Sequence, residues 1–160
     1  MEHQGIMDNE LQRIEDWVGG LLAKVSPVER RRLSRKIGLD LRRSQSFRIA
    51  SQRNPDGTGF IPRKNRKRIR SSKGRLKRMR ADMFPRLKMV SRMNLKTGQD
   101  QISISFLDKV ARIANIHHFG LKDRVSRNGP EAQYPARRLL GFSQTDEQLI
   151  RDSVLRHLKE

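Results

Sequence analysis

Leu11, Ile14, Val18, Leu21 and Leu22 recur three or four residues apart, with Trp17 widening the stripe, and this spacing predicts a helix from about Asp8 to Ala23. Gly19-Gly20 weakens it near its end. A longer helix follows with a clear start: Ser26 can cap, Pro27 suits the first helical position, and Glu29 stands three residues after Ser26 as a capping box requires. Leu33, Ile37 and Leu41 mark its buried face, which Ser44 and Phe47 would extend, and the helix should end before the Asn54-Pro55-Asp56-Gly57 turn. Arg30, Arg31, Arg32, Arg35 and Lys36 fall mostly on the other faces and read first as a solvated surface.

Farther on, helical spacing returns at Leu76, Met79, Met83, Phe84 and Leu87, although Pro85 would divide any continuous helix there. Met79, Met83 and Met89 read as core filler or an adaptable contact face. The period then changes to two. Leu87–Arg92 is a weak strand candidate, Ile102–Phe106 alternates cleanly, and Gly98-Gln99-Asp100 supplies a turn, so an antiparallel hairpin is expected. Val110, Ile113, Ala114 and Ile116 fit a short helix ending near Gly120, which can take the left-handed conformation common after helices. Leu121–Glu131 reads as a polar excursion and Arg137–Leu140 as a last short strand. Leu149, Ile150, Val154, Leu155 and Leu158 predict a C-terminal helix over Asp146–Leu158, with Ser143 as its cap and Asp146 in its first turn. The fold class is α+β, with mixed helices and strands: a small antiparallel sheet packed by N-terminal and C-terminal helices. One domain spanning 1–160 is expected.

Charge changes this picture in one place. The net charge is +19, but residues 1–60 and 101–160 contribute only +3 each, and residues 61–100 contribute +13. From Arg63 to Arg80, 11 of 18 residues are Lys or Arg, and no acid occurs between Asp56 and Asp82. Such a stretch has too few apolar groups to offset backbone ordering, so a basic extended arm at about 61–74 interrupts the patterned domain. Arg63, Lys64, Arg66, Lys67, Arg68, Arg70 and Lys73 are its candidate contact residues. A nucleic-acid-binding module is the competing reading of this arm, since phosphate neutralisation gives strong, salt-dependent affinity. Against it, the arm holds no aromatic for base stacking and is accompanied by no helix-turn-helix or zinc pattern.

The chain has no cysteine, which removes disulfides and thiolate chemistry. His117 and His118 are adjacent, and neighbours on a helix point about 100° apart, so they cannot serve one metal ion from regular helical geometry. A structural or interface role is expected for both. Carboxylates are scattered, Ser51 has no recognisable triad, Asn54–Gly57 does not continue into a calcium loop, and Gly57-Thr58-Gly59 is no phosphate loop. The sequence therefore reads as a non-enzyme with no cofactor and no metal. No apolar run approaches a membrane span of ~20 residues, and the polar N-terminus lacks a signal peptide's apolar region, so the expectation is a soluble protein with no membrane contact.

Three motifs in order carry a resemblance. Ser51-Gln52-Arg53-Asn54-Pro55-Asp56-Gly57 with Phe60, then Ala114-Asn115-Ile116-His117-His118-Phe119-Gly120, then Tyr134-Pro135-Ala136-Arg137-Arg138-Leu139-Leu140-Gly141-Phe142 resemble the virion-morphogenesis or tail-completion family of tailed bacteriophages. The resemblance implies a small mixed α/β subunit that completes the tail and supports head-to-tail joining, as tail terminator or neck component. It further implies a homo-oligomeric ring at the head-proximal tail end, among tail tube, sheath or connector proteins, where the basic arm would either pair with acidic surfaces on those neighbours or face the DNA passing through the neck. The place of action would be the virion, after assembly in the host cytoplasm. Candidate interface residues on the later motifs are His117, His118, Tyr134, Arg137, Arg138 and Phe142. Arg137 and Arg138 would point to opposite faces of an extended segment, so they should not be equivalent.

The arm generates a direct test. Deleting Arg63–Lys73 should leave circular dichroism and thermal melting close to those of the intact protein while impairing joining. A collapse of helicity would show that a structural element had been removed.

Overall fold

The computed structural model describes residues 12–21, 23–63, 82–125 and 127–159. Within them the α+β class holds, with four helices and two small antiparallel sheets of two strands each. Helix α1 covers 12–21, inside the expected Asp8–Ala23, whose remaining N-terminal part and Leu22 lie outside the described residues. Helix α2 runs Pro27–Ala50, and Ser26 and Glu29 form the anticipated capping box. Leu33, Ile37 and Leu41 are buried in one apolar cluster with Val154, against which Val18, Leu21, Leu149 and Ile150 pack. Each such side chain contributes roughly 1.5–3 kcal/mol when fully removed from water. Phe47, expected on the same face, is instead 75% exposed. Gln45 and Arg48 take the buried positions there. The helical stripe therefore continues through polar residues, for a reason that appears below.

The hairpin forms, but its first strand lies farther along than expected. Strand β1 is Met93–Thr97 and pairs with β2, Ile102–Phe106, from Met93↔Phe106 to Thr97↔Ile102. Leu87–Arg92 is not a strand: it passes through a turn and a short 3₁₀ segment, Val90–Arg92. Leu87 is buried as a core residue, so its apolarity reflects packing with Met83 and Phe84 and not sheet alternation. Leu76 and Met79 lie outside the described residues. Met83 belongs to the core whereas Met89 is 47% exposed, dividing the two methionine readings between them. Ile104 packs against both apolar clusters and so ties the hairpin to each. Close approach of the hairpin to α2 depends on Gly38, where a Cβ would meet Leu95 Cδ1 at 2.8 Å.

Helix α3, Asp108–Phe119, leads through Gly120 into strand β3, Lys122–Arg124, which pairs with β4, Glu131–Gln133. This second hairpin occupies much of the expected polar excursion, where exposed β3 and β4 residues left no apolar alternation to detect. Helix α4, Gln144–His157, begins with Ser143 and Asp146 in a full capping box. Between β4 and α4 the chain is extended but has no strand partner, so the expected strand at Arg137–Leu140 does not form. Its backbone groups are taken by side chains and by carbonyls of α3 and of the turn after it. Gly120 allows the segment to pass: its φ is +65°, and a Cβ there would sit 2.8 Å from the Ala136 nitrogen.

Gly120→Ala should therefore destabilise the fold by about 1–3 kcal/mol through left-handed backbone strain, with the neighbouring backbone clash adding to it. Calorimetry should show a lower melting temperature with unchanged helix content. An unchanged melt would mean that Ala136 yields freely.

Candidate interface at residues 134–142

A buried polar relay sets the path of this segment. Asp146 has no exposed surface and accepts from the Ser143 backbone nitrogen at 3.0 Å, the Ser143 hydroxyl at 2.8 Å and Gln45 Nε2 at 3.2 Å, with the Ser44 hydroxyl donating to its other oxygen. Its place at the start of α4 also suits the positive end of the helix dipole. The Gln45 amide faces both ways: its Oε1 accepts from Arg48 Nη2 at 2.5 Å and from the Gly141 nitrogen at 3.1 Å. Arg48 then donates Nη1 to the carbonyls of Arg53 and Arg138, at 3.1 and 3.0 Å, and Nη2 to the carbonyl of Leu139 at 3.0 Å. Burial lowers the Arg48 pKa, and Asp146 and Asp56 oppose that shift by their charge.

The three motifs singled out in the sequence meet here. Asn54 Oδ1 accepts from the Arg138 nitrogen at 2.9 Å, and the buried Pro55 stands so near Gly141 that a Cβ there would lie 2.7 Å from Pro55 Cγ. Gly141 has φ +156°. The turn itself closes through the Thr58 backbone nitrogen and hydroxyl, which both donate to Asp56 Oδ1, and these bonds hold the Asp56 carboxyl below its usual range. From the second motif, the His117 carbonyl accepts the Arg137 nitrogen at 2.7 Å. Sequence distance concealed most of this convergence, because the bonds from α2 and the Asn54 turn to residues 138–141 join positions 84 to 96 apart.

Arg137 and Arg138 divide as their alternation required. The Arg137 side chain is buried at 3% exposure, donates Nε to the Ile61 carbonyl at 2.7 Å, and reaches His117 Nδ1 at 3.4 Å. Arginine only donates, so His117 Nδ1 is the acceptor and its proton sits on Nε2. Phe60, Phe84, His117 and Tyr134 form a run of edge-on ring contacts with centroids 5.8, 4.9 and 4.9 Å apart. His117, Tyr134 and Arg137 are thus built into the subunit. Arg138 is exposed, with both backbone polar groups already bonded, and Phe142 is 41% exposed beyond it. His118 is half-buried and sits edge-on to the exposed Phe119 at 4.6 Å. Arg63 is exposed and close enough to lower the pKa values of His117 and Arg137. Lys64, Arg66, Lys67, Arg68, Arg70 and Lys73 lie outside the described residues.

Gln45 and Arg48 carry no sequence-based expectation, and Asp146 was expected only as the acid in the first turn of the last helix. Their signal was available: Gln45 and Arg48 extend the Leu33–Leu41 stripe, and a polar residue on a buried stripe needs a partner. Among the described residues no group of three or more His, Asp or Glu side chains is placed to hold a metal ion, and no helix is long and apolar enough to cross a membrane.

The subunit is thus a mixed α+β domain with a segment, 138–141, whose backbone is held by side chains of α2 and of the Asn54 turn. The phage virion morphogenesis family matches residues 9–159, and the chain belongs to that family. It is 39% identical over 152 residues to tail completion protein S of Escherichia phage P2, covering 94% of this chain and 99% of that one. No solved structure matches it.

Both histidines are held below the ordinary 6.5, His117 by burial and then by Arg137 and Arg63, His118 by burial and then by Arg138 and Arg48. The unfolded chain therefore binds more protons in this interval, so stability is full above the unfolded value and falls as pH drops through the lowered ones. Melting temperature should decline between about pH 7.5 and 5.5. His117→Gln keeps an acceptor for Arg137 and should reduce the slope. An identical pH profile for the variant would remove His117 from this dependence.

Proposed function

We propose that the protein is a structural component of virion assembly that completes the phage tail and supports head-to-tail joining, without enzymatic activity. It acts as a single-domain subunit of a homo-oligomeric ring at the head-proximal tail end, as terminator or neck component, and resides in the virion. The observation that carries this reading is the likeness to a tail completion protein along nearly the whole length of both chains.

Surface geometry supports a protein-contact role. Arg138 projects from a backbone pinned on both sides, so its guanidinium can engage a carboxylate of a tail tube, sheath or connector protein with little further ordering. Phe60 and Phe84, which stand on either side of the basic stretch in the sequence, pack together in the core. The cations of that stretch serve acidic neighbours or the DNA in the neck, giving attraction and register more than affinity.

The two arginines test the assignment. Arg137→Ala removes a buried side chain with its bonds to the Ile61 and Pro62 carbonyls and should cost about 1–3 kcal/mol of folding stability. Arg138→Ala should melt like the unaltered protein yet fail to complete tails in extracts lacking the protein, losing roughly 2–5 kcal/mol of contact energy if its partner charge is buried. Full complementation by Arg138→Ala would remove the interface assignment.

A further inference from the structure

The side of α2 turned away from the core is a cationic surface. Arg31, Arg32, Arg35 and Lys36 are exposed and Arg42 is half-buried, and none of the five has an ion pair among the described residues. Their neighbours Arg30 and Arg43 are already paired, with Asp100 and Asp40. Glu29 belongs to the capping box, which leaves Asp40 as the only other acid of the helix. Between Val28 and Phe47 this helix has no large exposed apolar side chain.

Three of these cations form a row. Arg31, Arg35 and Arg42 stand four and then seven residues apart, so they share about 40° of the helix circumference over a length of about 16 Å. Arg42 Nη1 reaches the Met93 carbonyl at 3.4 Å, which brings the end of the row beside the 3₁₀ segment that carries Arg92. The Nε atoms of Arg42 and Arg92 are buried and have no hydrogen-bond partner. Arg30 and Arg48 also leave Nε unbonded, but their terminal nitrogens are committed to Asp100 and to Gln45 and three carbonyls. A buried donor without a partner is uncommon, and a guanidinium turned toward an anion at the surface would recover that bond.

The composition of the face selects the kind of anion. A protein interface is built around buried apolar anchors, and this row offers none. Duplex DNA is a continuous polyanion, with one negative charge per ~1.7 Å of axis, and asks only for cations at intervals along its backbone. Arginine, with its planar fork of donors, suits phosphate well. We propose that the row of Arg31, Arg35 and Arg42, continued by Arg92, lies along the phosphate backbone of duplex DNA without reading its sequence. The contact belongs to the folded domain, is separate from the basic stretch at 63–80, and depends neither on the ring nor on the protein's place in the tail.

Salt dependence tests it on the full chain, freed of nucleic acid and titrated with a duplex of about 30 base pairs, since log K falls against log salt by roughly 0.9 per phosphate neutralised. Arg31→Gln with Arg35→Gln should reduce the size of that slope by about 1.8 and weaken binding about 10–100-fold at 0.1 M salt. Arg31→Gln alone should reduce it by about 0.9, and the pair Arg31→Lys and Arg35→Lys should restore it. The basic stretch is present in every variant, so the difference reads α2. Lys109→Gln with Arg151→Gln removes the same charge from exposed positions on α3 and α4 and should leave the slope unchanged. An unaltered slope in the α2 variants would overturn the proposal, as would an equal loss in the α3 and α4 control or failure of the unaltered protein to bind the duplex. Loss of tail completion with the slope intact would assign the row to an acidic protein instead.

Discussion

A buried cation and a buried carboxylate, joined through one amide, hold this fold in register. Arg48 and Asp146 do not touch; Gln45 accepts from one and donates to the other. Desolvating two charges is costly, and the cost is met here by carbonyl groups, a helix N-terminus and the intervening amide as well as by mutual attraction. The arrangement fixes three things at once: the last turns of α2, the first turn of α4 and the route of residues 138–141. Taking out any member would leave the others buried with unmet bonds, so the relay favours one geometry over near neighbours.

Because side chains supply these bonds, the 134–143 segment is extended without belonging to a sheet. The sequence signals for extension there were sound, since Pro135 and the alternating burial of Arg137, Arg138 and Leu139 are real. What they could not convey was the partner. Gln45 and Arg48 read as the polar end of an amphipathic helix until their distant acceptors are known. The capping boxes at Ser26–Glu29 and Ser143–Asp146 were legible because every participant lies within four positions. The first strand of the hairpin was misplaced because core-facing Leu87 and strand-forming Leu95 are equally apolar, and only tertiary packing separates them.

Glycines follow the same division. Gly120 was recognisable as a helix terminator from local order alone, but its second role, admitting the backbone of Ala136, needs the fold. Gly38 carried no local signal at all, since only the approach of Leu95 and Thr97 explains a glycine inside α2. The candidate surface was likewise half legible. Alternation foretold that two adjacent arginines would differ, and burial decided that Arg137 belongs to the interior and Arg138 to the outside.

The spacing of the relay also bears on how the chain is made. Arg48 leaves the ribosome 90 residues before the Arg138 carbonyl it will bind, and Gln45 precedes Asp146 by 101. At ordinary synthesis rates that interval is on the order of 5–20 s. During it, the unfinished inner face of α2 presents Ser44, Gln45 and Arg48 to water, groups that hydrate readily where leucines would seek other chains. The polar residues that later close the fold thus keep the last turns of the nascent helix hydrated, while Leu33, Ile37 and Leu41 await their apolar partners.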